Sequence, residues 1–198
     1  MRSVSIANRR RGLKFDPDEV VQAIAVLDAQ FRFTPADLPQ LSPLGRQRAR
    51  RQLTAVARVE TPDSAVPAGE LSLVFLDDPS LAELHSRFLD DPSTTDVITF
   101  EGDESFGTAG EVCVSVDTAW RVASENAHVF ADELTLYVVH GWLHLAGYDD
   151  LQPAKKRRMR VAEGRALSLL KSQEAVPNFT LSRPRVHRES LRSSRRRK

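Results

Sequence analysis

His140 and His144 stand four residues apart in the segment His140-Gly-Trp-Leu-His144-Leu-Ala-Gly147-Tyr-Asp149-Asp150. On a helix that spacing puts both imidazoles on one face, with their Cβ atoms about 6 Å apart. Two such nitrogens can meet one zinc ion at about 2.0–2.1 Å. Gly147 offers a helix stop, because glycine readily takes the left-handed conformation just past a helix end. The chain can turn back there, and either Asp149 or Asp150 can present a carboxylate to the same ion. Three protein ligands and an open position for water make a catalytic zinc arrangement rather than a closed structural one. Such an ion polarises an oxygen or activates water, and both suit hydrolysis. The alternative is two core histidines bonded to backbone carbonyls. Helical zinc proteases carry a glutamate directly after the first histidine as general base. Here that position is Gly141, so a peptidase would lack its proton-transfer group.

Other residues carry weaker chemistry. The guanidinium of Arg87 can grip a phosphate in two-pronged fashion, or it can form a surface ion pair with Asp90 or Asp91. Cys113, between Val112 and Val114, reads as a small buried hydrophobe. Trp142 belongs to the core, and His128 and His187 read as exposed or disordered. Nothing in the sequence asks for a nucleotide cofactor.

The elements that must position these residues can be read from pattern. Asp132 to about Ala146 is apolar around much of its circumference, which predicts a buried helix carrying both histidines. Leu71–Leu76, Thr95–Phe100 and Glu111–Ser115 read as strands, the last two as a hairpin with a long polar turn. Val4–Ile6 could add a short edge strand. Helices are expected from Asp16, from about Pro43 to Val59, over a short segment after Asp78, from Asp117 to about His128, and from Pro153 to about Lys171. The expected fold is α+β: a small mixed sheet of about four strands packed with about five helices, the zinc site at the end of the histidine helix.

Composition sets the limits. The 198 residues, 41% hydrophobic and 28% charged, can build a core of ordinary size. No stretch of about 18 apolar residues predicts a membrane span, and no secretory signal is evident. A single cysteine excludes an internal disulfide, and together these features favour the cytoplasm. Residues 182–198 hold seven Arg, one Lys and one Glu. The expectation is one domain over residues 1–172 and a basic, disordered tail over 173–198 that is attracted to polyanions.

The segment His140–Asp150 resembles the signature of the YbeY family, His-Gly-x-Leu-His-Leu-x-Gly-Tyr-Asp-His. Leu84–Phe88 with Thr95–Phe100, and then Gly110–Ser115, resemble further family blocks in the same chain order, and Glu133-Leu134 precedes the histidine helix much as in the family. The resemblance covers roughly residues 70–170. It implies a zinc-dependent endoribonuclease acting on single-stranded RNA. The expected roles are maturation of the 16S ribosomal RNA 3′ end and ribosome quality control, with the small ribosomal subunit as partner. It assigns catalytic roles to Arg87, His140 and His144, and zinc ligation to His140, His144 and Asp150. Asp150 stands where the family has a third histidine. Carboxylate oxygen is an accepted zinc ligand, and its negative charge would leave the metal's water less acidic. A decayed site that binds metal weakly is the rival. Asp149 matches the family's Asp and would orient a ligand, though it competes with Asp150. His85 replaces a family Asn, and the resemblance offers Glu111 as one candidate base. Two other functions stay open: a ribosome-assembly factor whose metal is structural or vestigial, and a different zinc hydrolase.

Overall fold

The computed structural model describes residues 2–54, 64–91 and 93–182. Alternation builds its sheet. In β3 (Glu70–Leu76), Leu71, Leu73 and Phe75 are fully buried on one face while Ser72 and Val74 take the other. β5 (Thr108–Ser115) repeats this with Val112 and Val114 beside Leu73 and Phe75. β1 (Val4–Asn8) runs parallel to β3, β3 runs parallel to β5, and β4 (Val97–Glu101) pairs antiparallel with β5. The order is β1-β3-β5-β4, a four-stranded mixed sheet with the expected hairpin at one edge.

Among the described residues six α-helices pack around it, in the six segments the sequence pattern picks out. Their starts are chemical. Asp16 accepts from the Asp18 amide to begin α1 (Pro17–Gln30), Asp77 accepts from the Ser80 amide for α3 (Asp78–Leu89), and Ser115 accepts from the Thr118 amide for α4 (Val116–Glu125). α2 spans Pro43–Thr54; residues 55–59, which the sequence pattern would add to it, lie outside the described residues. α6 spans Pro153–Ser172. None of these helices is long and apolar enough to cross a membrane.

α5 (Phe130–Leu145) is the central helix, buried on most sides as its composition predicts. Trp142 is fully buried. Its ring meets Phe31 edge-on at 5.3 Å, and its Nε1 donates to Asp28 at 3.2 Å. Gly141 faces the sheet, where a Cβ would collide with the Val112 side chain. Only a bare backbone lets α5 lie this close to β5. The opposite sheet face holds a smaller apolar cluster of Leu76, Leu81, Ile98 and Cys113 beneath α3.

One expectation is corrected. Residues after Ser172 are ordered as far as Ser182. Ala175 and Phe179 are buried, and Phe179 packs on Phe15 and Phe75 at 5.3 and 5.5 Å. β6 (Thr180–Leu181) then pairs antiparallel with β2 (Leu13–Lys14). Two-residue strands carry no periodicity, and a single Phe shows its burial only when its partners are in place. The arginine-rich residues 183–198 lie outside the described residues.

Candidate metal centre

His140 and His144 project from the last turns of α5, where the helix leaves its buried stretch. Their side chains keep 15% and 28% of their exposure, and Asp150 keeps 29%. The helix ends as Gly147 takes φ +99°. The Gly147 amide donates to the His144 carbonyl at 2.8 Å and the Tyr148 amide to the Leu143 carbonyl at 3.0 Å, the paired bonds of a Schellman stop. A Cβ on Gly147 would fall 2.8 Å from the Gly45 Cα, so glycine is required twice over. This reversal brings Asp150 back over the helix end. His140, His144 and Asp150 each offer one ligand atom within 4.8 Å of the others.

The donors are aimed. His140 Nδ1 donates to Glu163 Oε1 at 2.7 Å, and His144 Nδ1 donates to the Tyr148 carbonyl at 3.1 Å. Both rings therefore turn Nε2 toward the same point, with the two nitrogens 2.9 Å apart. Two imidazoles on one tetrahedral zinc would hold them about 3.3 Å apart. His144 Nε2 lies 3.9 Å from Asp150 Oδ1. Two nitrogens and a carboxylate, each histidine anchored through its far nitrogen, form a donor set that can hold a divalent metal ion.

Electrostatics separate the two rings. Burial opposes protonation of both. At His140, the Glu163 hydrogen bond and the charges of Asp96, Glu163 and Asp150 outweigh burial, so its pKa is raised. At His144, burial and then the charge on His140 prevail, and its pKa is lowered. Asp149 is engaged elsewhere: it accepts from the Leu151 amide and pairs with Lys155, which together hold its carboxyl below the usual range. The trio sits where two cavities meet. One, of about 770 Å³, is lined by His144 and Asp150 with Arg46, Thr99 and Lys155; the other, of about 280 Å³, by His140 and Asp150 with Asp96, Lys156 and Arg160.

Other residues singled out in the sequence lie elsewhere. Arg87 is exposed in the last turn of α3, with its guanidinium 5.9 Å from the Phe88 ring centre. It lines neither cavity and forms no ion pair with Asp90 or Asp91 among the described residues. The His85 Nδ1 meets the Ser93 carbonyl at 3.0 Å. Glu111 accepts from the Ser72 hydroxyl at 2.9 Å and from the Cys113 thiol, on the sheet face opposite α5. Alternation along β5 thus turns it away from the histidines, and its candidacy as base is corrected. Cys113 is buried, and burial, followed by the Glu111 charge, pushes its thiol up to about 12. His128 is exposed and bonds Glu133 at 3.2 Å; His187 lies outside the described residues. Sequence reasoning missed Glu163. Its signal was present: it flanks the apolar stripe Met159, Ala162, Ala166, Leu170 on an otherwise basic helix.

A family profile described as "Endoribonuclease YbeY" matches residues 42–171, which contain the trio and Glu163. This chain belongs to the YbeY family. An Endoribonuclease YbeY of Chlamydia caviae is 38% identical over 120 residues, covering 56% of this chain and 75% of that one. That of Frankia alni is 32% identical over 131 residues, covering 59% and 72%. The solution structure of TM1509 from Thermotoga maritima covers 87% of this chain and 92% of its own, with a TM-score of 0.50 at 18% identity, a likeness of fold. The YbeY match begins at α2, so β1, β2, α1 and β6 frame the family region from outside it.

Proposed function

We propose that this chain is a zinc-dependent endoribonuclease whose ion is held by His140, His144 and Asp150. The observation that carries this reading is the convergence of both Nε2 atoms and the Asp150 carboxylate, with each Nδ1 already spent on Glu163 or Tyr148. Family membership supplies the substrate class, RNA. When bound, a divalent ion in this donor set supplies Lewis acidity and an activated water. The chain's own residues do the rest: Glu163 and the Tyr148 carbonyl fix the imidazole tautomers, and Gly147 returns Asp150 to the site. With Gly141 pressed on Val112, the helix has no room for the glutamate of a peptidase. We assign Arg87 to a substrate phosphate rather than to the ion. The reading extends to single-stranded 16S ribosomal RNA at its 3′ end, ribosome quality control and the small ribosomal subunit, in the cytoplasm.

The test is cleavage of a single-stranded RNA by the purified full chain. Chelation abolishes cleavage and zinc restores it. Asp150→Ala loses both the metal and the activity. Cleavage that survives chelation, or full zinc content in Asp150→Ala, overturns the assignment.

A further inference from the structure

Five of the six residues from Lys155 to Arg160 are basic, and they occupy the amino-terminal part of α6. Of these five, only Lys155 forms an ion pair among the described residues, with Asp149. Lys156, Arg157, Arg158 and Arg160 are exposed and form none. Their position works against the helix. Lys155 and Lys156 lie in the first turn, where cations face the positive end of the macrodipole, and Lys156 and Arg160, four apart, are like charges on one face. The first turn has no acidic residue to offset them.

Their placement relative to the site is specific. Lys156 and Arg160 line the 280 Å³ cavity together with His140, Asp150 and Glu163. Of the four carboxylates in that cavity, Asp150 belongs to the trio and the other three are bonded to other groups. Glu163 accepts from His140, Glu133 bonds His128, and Asp96 accepts from the Val97 amide and the Thr95 hydroxyl. The two cations are thus left free beside the trio.

We infer that Lys156 and Arg160 form a phosphate-holding subsite for RNA, placing the nucleotides next to the cleaved bond along the amino-terminal half of α6. The inference rests on the endoribonuclease reading and names where its substrate lies. A polyanion resolves what the free helix cannot: it neutralises the like charges and the helix end together. Arg157 and Arg158 extend the same basic ridge outward, so the strand leaves the site over α6.

Binding is measured on the full chain by fluorescence anisotropy with a labelled single-stranded RNA, in chelator, over a range of salt. Lys156→Ala/Arg160→Ala is expected to weaken binding about tenfold near 0.1 M salt and to reduce the salt slope by about 1.4, as for two single-strand phosphate contacts. Lys156→Arg/Arg160→Lys retains most of the affinity. Arg50→Ala/Arg51→Ala, which removes two exposed cations from α2, changes it less than about twofold. An unchanged slope in the first variant overturns the subsite. So does an equal loss in the α2 variant, which would mean net charge alone. Displacement of RNA by an acidic peptide at equal concentration would reassign the ridge to a protein partner. Because chelator removes catalysis from the measurement, a chain that binds RNA through α6 but never cleaves it sinks the activity and leaves the subsite standing.

Discussion

At the scale of single residues, a proton and a metal ion compete for the same lone pairs. Glu163 and the nearby carboxylates raise His140 above its ordinary value, so protonation of His140 still opposes the ion above about pH 6.5. Metal affinity should therefore climb about tenfold per pH unit below the His140 pKa and level off above it. Calorimetric titration with zinc from about pH 6 to about pH 8 reads this directly. A flat profile would mean that His140 is not a ligand. Glu163→Ala removes both the anchor and the charge, so it should lower zinc affinity about 10–100-fold and shift the rising limb to lower pH. Arg87 makes a separate prediction. If it holds a substrate phosphate, Arg87→Ala cuts RNA cleavage sharply with zinc content unchanged. Loss of zinc in that variant would instead give Arg87 a structural role.

At the scale of elements, the site depends on how closely α5 lies against β5. Gly141→Ala places a methyl against Val112 in a packed interface. Overpacking of this kind typically costs about 1–3 kcal/mol, and here it pushes the helix end that carries both histidines. The expected result is a lower urea midpoint together with weaker zinc binding. A variant with unaltered midpoint and metal content would show that α5 has slack. α5 itself was legible, because a run apolar on nearly all sides has no stable place except a core. So was the β4–β5 hairpin, from its β-branched residues and polar turn. The strand order was not legible: β1 and β5 both pair with β3, which no local pattern encodes.

At the scale of the molecule, the carboxyl-terminal segment closes the fold. Phe179 joins Phe15 and Phe75 in one aromatic cluster that ties both ends of the described chain to β3. Phe179→Ala should cost about 3 kcal/mol, seen as a drop in the denaturation midpoint. Compared with a chain truncated after Ser182, truncation after Ser172 should lower that midpoint at least as much as Phe179→Ala. Equal stability of the two truncated chains would contradict the role given to Phe179.

Residue order alone was enough wherever short-range geometry governs the outcome. A four-residue spacing puts two imidazoles on one helix face, a glycine past the helix end reverses the chain, and alternation separates the two faces of a strand. These depend on bond angles and on the 3.6- and 2-residue periods, which act within a few residues. Which neighbours those side chains meet is settled only in the packed fold. Lys155 takes Asp149 and leaves Asp150 near the histidines, while Glu163 reaches back 23 residues to aim His140. Glu111 is turned to the far face of the sheet, and Arg87 stands on α3 outside both cavities. Each of those outcomes is set by the packing of one element on another, and the energy of that packing is shared among many residues distant in sequence.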